Sequence, residues 1–298
     1  MLKIFSNNNT IREFNNTNQG IYFVSEHEEF WVETLDCFGG QLQSEKDLRP
    51  NIDTSLMNSS TGPIVLDGAA EGDTLCVEIL DILLDNQGVM TTAPGLGVLG
   101  HNVKDYNTKI IPIKDNKAYF MEDIVIPIEP MIGVIGTAPK EGNHSCVLPG
   151  IHGGNMDTRE ITIGSKVYLP VFIKGANLAI GDLHAAMGDG ELSGTGIEIG
   201  GKVKLKVSLI KRTVLNNPRV ETKDYLITIA SAKEFRDAIK IASEEMVYFL
   251  QETLHLTFKD AYRLMSATCH LKVSQAVNPL VTVRVCAPKK ILAVDSFF

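Results

Sequence analysis

Residues 176–199, ANLAIGDLHAAMGDGELSGTGIEI, hold the densest set of side chains in this chain that could do chemistry. Three carboxylates and one histidine (Asp182, His184, Asp189 and Glu191) fall within ten positions, among small and apolar residues. Acids set in apolar runs are costly to bury unless they are paired or hold a metal. ANLAIGDLHAA alternates as a strand does, and Asp189-Gly190 is a two-residue hairpin signal. A hairpin with that turn at its tip sets Gly188 opposite Glu191, His184 opposite Thr195 and Asp182 opposite Ile197. Side chains alternate along strands, so Asp182, His184 and Glu191 then share one face. A His and two carboxylates on one face suit zinc or a similar divalent ion. A one-residue slip would disperse them. The ordinary alternative is a polar turn with an incidental His.

A second candidate is the loop PGIHGGNMDTRE, Pro149–Glu160. Gly153-Gly154 lets the backbone approach a neighbour closely, and His152, Asn155 and Asp157 flank it. Asn, Asp and Gly also dominate plain surface turns. Asp36-Cys37 ends an apolar strand before Gly39-Gly40, where an acid can be a ligand or a turn cap. His101 gains meaning only if it converges with the hairpin. Cys37 or Cys146 could be a nucleophile, although a small buried thiol is the commoner role. The glycines between 133 and 154 match no phosphate-loop or dinucleotide fingerprint.

The elements that must position these residues are mostly strands. FWVETLDCF, IVLDGA, TLCVEILDILL, KIIPI, DIVIPI and GGKVKLKVSLIK alternate or are rich in β-branched residues. Lys202, Lys204 and Lys206 alternate on the last of these and read as a solvated face. From residue 213 the character changes. YLITIAS is a strand. Ser231 with Glu234 reads as a capping box opening a helix, whose stripe runs through Phe235, Ile239, Ala242, Met246 and Phe249. Thr257 with Asp260 reads as a second cap, for FKDAYRLMSA. TCHLKVSQAV and LVTVRVCA are further strands. The expected organisation is a β-rich catalytic region over 1–212, with 91–160 as a possible second β sub-domain, and an α+β unit over 213–298.

Composition narrows the class. The 298 residues are 44% hydrophobic and 21% charged, ordinary for a globular chain too long for one small core. A net charge of −8 argues against nucleic acid and anionic membrane as partners. Five cysteines without a CxxC pair suit buried free thiols in a reducing compartment. MLKIFSNNNT has no apolar signal core, and the uncharged window from Gln87 to Val103 is broken by Pro94 and several glycines. A cytoplasmic protein is the expectation.

Several phrases together resemble the acetamidase/formamidase family. They are DCFGGQL (36–42), GPIVLDGAAEGDTLCVEILDI (62–82), PGLGVLG (94–100), IGVIGTAP (132–139), HGGNMDTREI (152–161) and GSKVYLPVFIKGANLAIGDLHAAMGDGELSGTGIEI (164–199). GDLHAAMGDGE combined with HGGNMD is the most specific part. Met187 departs from the pattern, where many members have glutamine. The resemblance covers residues 20–210 best. It implies hydrolysis of a small aliphatic amide to carboxylate and ammonia. It also implies a mainly β fold with jelly-roll or sandwich-like and barrel-like parts, an α+β C-terminus, a divalent metal, and a homodimer or higher homo-oligomer. With the hairpin reading, Asp182 and His184 are expected as ligands, completed by Asp36 or Asp157, with zinc favoured and calcium the alternative. Glu191 is the expected general base and Asp189 its substitute. Asn155 or the Gly153-Gly154 backbone would bind the oxyanion, and His152 is a further catalytic candidate. A cysteine-nucleophile amidase and a non-catalytic metal-binding β scaffold are the competing readings.

Overall fold

The computed structural model describes residues 3–298. Strands take 41% of the chain and helices 15%, with the three helices near the C-terminus, so the mainly β expectation holds. Two large sheets carry the fold, one of nine strands and one of twelve, with a small two-stranded sheet beside them. Their inner faces meet in one core. Val32, Leu75, Val77 and Val203 come from the first sheet, and Ile132, Ile180, Leu183 and Ile199 from the second. The burial of so many β-branched and leucine side chains between two sheets is the main force holding them together.

The strongest sequence patterns give the most regular strands. TLCVEILDILL is one strand, Thr74–Leu84, and pairs antiparallel along nearly its whole length with Gly201–Ile210. Pro127 lies in Ile124–Pro127, an edge strand of the larger sheet, as expected of proline near a sheet margin. The expected boundary at residue 212 is crossed by the smaller sheet. Arg219–Glu221 pairs with Lys166–Pro170 on one side and with Tyr225–Ala232 on the other. Strands from 91–160 likewise pair with strands outside that range, Met131–Gly136 with Leu178–His184 and Asn107–Lys114 with Gln87–Thr92.

Helix α1 (Phe235–Leu254) buries Ala242, Met246 and Phe249 of the expected stripe. The expected capping box does not form. Ser231 lies inside the Tyr225–Ala232 strand, its hydroxyl bonded to Thr282, and Glu234 caps α1 without a side-chain bond. Strand pairing claims Ser231 before the helix can. Helix α2 (Phe258–Thr268) is capped as read, with the Asp260 N–H donating to Thr257 Oγ1 at 3.2 Å. Among the described residues no helix is long and apolar enough to cross a membrane.

Candidate active site

The site is built on the strand Leu178–His184, which is buried at all seven positions. Alternation puts Asp182 and His184 on one face, as the sequence predicts. The hairpin register differs. His184 pairs with Glu198, three positions beyond the expected Thr195. The Asp189-Gly190 turn itself closes, with the Glu191 N–H donating to Gly188 O at 3.1 Å, but no paired strands continue from it in the expected register. Gly190 N–H donates to Ser274 O, and Gly190 O accepts from Ala276 N–H, both at 3.0 Å. These bonds tie the turn to the C-terminal unit, so it lies in a loop and not at the tip of a continuous hairpin.

Five acidic or imidazole side chains nevertheless converge. One ligand atom each from Asp157, Asp182 and His184 lie within 4.8 Å of one another, as do those of His184, Glu191 and Glu198, and those of Cys37, Asp182 and Glu198. All are buried. Three of the acids sit in the left-handed backbone region, Asp157 at φ 44°, Asp182 at 58° and Glu191 at 48°. Such strain in non-glycine residues is costly and gathers at functional sites. Gly133 makes the approach possible: a Cβ there would lie 2.6 Å from Asp157 Oδ1 and 2.8 Å from Asp182 Oδ2. Its carbonyl also accepts the N–H groups of Met156 and Asp157, which fixes the second acid.

The cluster has fewer hydrogen bonds than its burial demands. Asn58 Nδ2 donates to Asp182 Oδ2 at 2.9 Å, and Asn278 Nδ2 to Asp157 Oδ2 at 3.4 Å. Asp157 Oδ1, Asp182 Oδ1, Glu198 Oε2 and both nitrogens of His184 have no hydrogen-bond partner. His184 Nε2 does approach Glu198 Oε2 at 3.1 Å and Asp182 Oδ1 at 3.5 Å, without hydrogen-bond alignment. Burial, then the Asp182 charge, pushes the Asp157 carboxyl up to about 8. Burial raises Glu198 to about 7 against the pull of His184. Burial, then Asp157, raises Glu191 well above the carboxylate range. Burial alone would lower His184, but Glu198 and Asp182 outweigh it and raise it well above the usual value. Four acids against one imidazole, with open ligand atoms, is a donor set that fits a divalent cation.

The other expected site residues are placed differently. Asp36 lies outside the three groups; its Oδ1 accepts from Phe38 and Gly40 N–H at 2.9 Å each and closes the turn. Asp189 is drawn to Arg284 Nη2 at 2.5 Å. His152 is fully buried beside Phe14 and His144, away from the acids, and burial then His144 lower it to about 3. Asn155 lines the cavity over Asp182, Glu191 and Glu198, with Nδ2 donating to Val147 O at 3.3 Å. Gly153 and Gly154 belong to a strand paired on both sides, so their close approach is to backbone. His101 is exposed on a 3-10 turn. Neither cysteine has the setting of a nucleophile. Burial, then Glu198 and Asp182, drives the Cys37 thiol well up, and burial takes Cys146 to about 12.

Three contributors escaped the sequence reading. Glu198 carried a usable signal, an acid between Ile197 and Ile199 in the return strand. Asn58 and Asn278 had none, since their contacts to Asp182 and Asp157 span more than a hundred residues. Asn278 also shows that the C-terminal unit reaches a site expected to lie wholly within 36–200.

Comparison with known proteins places the whole fold in a family. The family model of the Acetamidase/Formamidase family matches residues 19–145 and 143–294. A crystal structure of an acetamidase from Bacillus halodurans superposes with a TM-score of 0.95 at 42% identity, covering 97% of this chain and 98% of that one. A recombinant predicted acetamidase/formamidase from the thermophile Thermoanaerobacter tengcongensis gives 0.97 at 43%, covering 100% and 99%. The formamidase of Methylophilus methylotrophus is 30% identical over 252 residues, 64% of this chain and 61% of that protein. The chain spans about three-fifths of the length of the curated relatives it matches first. With the match running almost end to end, the chain belongs to the acetamidase/formamidase family.

Proposed function

We propose that the chain hydrolyses small aliphatic amides to carboxylate and ammonia, with a divalent metal held by Asp157, Asp182 and His184 and with Glu198 beside them. The observation that carries this reading is the buried acid cluster whose ligand atoms lack partners. Zinc suits the His-containing set and calcium is the alternative. When bound, such an ion polarises the amide carbonyl and lowers the pKa of water towards roughly 7. Glu191 serves as the general base: its carboxylate takes the proton of the attacking water and passes it to the leaving nitrogen. Burial and neighbouring acids hold that proton until transfer. Asn155 keeps one amide N–H free of its bond to Val147 and directs it at the oxyanion. Asn58 and Asn278 hold the Asp182 and Asp157 carboxylates in place by donating to their Oδ2 atoms. Assembly as a homodimer or higher oligomer belongs to the same proposal, supported by exposed Met121, Ile124 and Val125 on one edge of the larger sheet.

The test pairs metal content with ammonia release from formamide and acetamide. Glu191→Gln should retain the metal and lose roughly 10²–10⁴-fold in kcat, the scale of a general base. Near-normal turnover in that variant would remove Glu191 from the role, and full activity in metal-free protein would remove the metal.

A further inference from the structure

The cavity above the acid cluster has a volume of about 340 Å³, far more than formamide or acetamide fills. Its wall runs outward from Asn58, which bonds Asp182, through Met57 and Thr54 to Arg49. Arg49 is half-buried on the short 3-10 turn Arg49–Asn51. It makes no salt bridge and no side-chain hydrogen bond among the described residues, although the chain carries 36 acids against 28 basic residues. The other ionisable side chains on the cavity wall are Cys37 and the acids Asp182, Glu191 and Glu198 at its base. The same wall includes the half-buried apolar side chains Met57, Leu96, Leu148 and Val277. The cavity thus combines buried acids, half-buried apolar side chains and one half-buried cation.

We infer that the substrate is an amide with a carboxylate at its far end, a short methylene spacer lying on the apolar wall and the carboxylate meeting the Arg49 guanidinium. This rests on the amidase reading of the site and deepens it. Guanidinium binds carboxylate through paired N–H donors, and an Arg without an internal partner has those donors free. Hydrolysis of such a compound breaks the amide C–N bond, joins the water oxygen to the carbonyl carbon, and releases ammonia and a dicarboxylate. No other co-reactant is needed.

The experiment compares malonamate, succinamate, glutaramate and adipamate with neutral amides of the same carbon count, using metal-loaded protein. At the best spacer length the carboxylated amide should have a kcat/KM roughly 10–100-fold above its neutral partner, the scale of a charge-assisted hydrogen bond. Arg49→Met should bring that ratio to about one, and Arg49→Lys should restore part of it, which a purely structural loss would not. Equal turnover of charged and neutral amides by the unmodified protein, or an unchanged ratio in Arg49→Met, overturns the inference and leaves the amidase reading intact. If no amide is hydrolysed, the amidase reading falls. Calorimetry with succinamate, then an inert ligand, still decides: binding weakened about tenfold in Arg49→Met sustains recognition of the carboxylate, and absent or unchanged binding overturns it.

Discussion

Two strands of this molecule handle charge in opposite ways. Gly201–Ile210 buries Val203, Leu205 and Val207 and turns Lys202, Lys204 and Lys206 outward, where they meet Glu33, Glu29 and Glu78 at 2.8, 2.6 and 3.5 Å. Leu178–His184 has no outward face and places Asp182 and His184 inside the protein. Water screens the first set, so its pairs contribute little. The second set is buried with ligand atoms left without hydrogen-bond partners, and three of the acids of the cluster are held in strained backbone. The fold tolerates uncompensated charge at this one cluster while satisfying it along the lysine strand. That contrast is what supports the functional reading proposed for the cluster.

The contrast can be tested at both ends. His184→Ala should strip the metal and lower amide turnover by roughly 10³-fold or more, on the scale of removing a catalytic group. Lys204→Ala on the solvated strand should leave turnover and the urea midpoint within error. Comparable losses from the two would erase the distinction.

A second comparison concerns Arg284, a fully buried cation that, unlike the acid cluster, is well supplied with partners. It meets Glu160 at 2.6 Å, Asp189 at 2.5 Å and the Ser274 hydroxyl at 3.2 Å, and so joins the C-terminal unit to the loop bearing Glu191. Arg284→Met leaves Glu160 and Asp189 uncompensated and should cost about 3 kcal/mol in denaturant unfolding. A loss below about 1 kcal/mol would mean that Lys272 and Arg159, which already touch those acids, take over.

The smallest expected effect lies at the start of Thr74–Leu84. Burial alone would raise Asp73, but Lys211 at 2.8 Å and the N–H groups of Arg212 and Ala70 at 3.0 Å hold it below the usual range. A carboxyl lowered on folding stabilises above its unfolded value, near 3.9, and loses that contribution as pH falls through the folded one. Asp73→Asn should therefore be less stable than the parent at pH 7, with the gap closing below about pH 4. A gap that stays constant down to acid pH would show that the carboxylate charge contributes nothing.

Several features were legible because they are local. Strand alternation in Thr74–Leu84 and Gly201–Ile210, the Thr257 cap, and the shared face of Asp182 and His184 all depend on neighbours a few residues away. The Ser231 capping box failed where a long-range partner, Thr282, competed for the same hydroxyl. The hairpin register failed for the same reason. The Asp189-Gly190 turn forms, but Ser274 and Ala276 satisfy the Gly190 backbone where a hairpin partner strand would, and Arg284 draws Asp189 away from the acids.

The sequence by itself determined that the chain is mostly β and that Asp182 and His184 point together, and it offered Asp36, and Asp157 of the HGGNMD loop, as alternatives for a further acid. Periodicity and motif spacing carry that information along the chain. Only the tertiary structure decided that Glu198 stands opposite His184, that Glu191 arrives through a loop, that Asp36 closes a turn, and that Asn278 from the C-terminal unit reaches Asp157. Those outcomes depend on which of several locally acceptable partners wins once the sheets are packed, a choice settled by the cost of leaving buried polar groups unmatched.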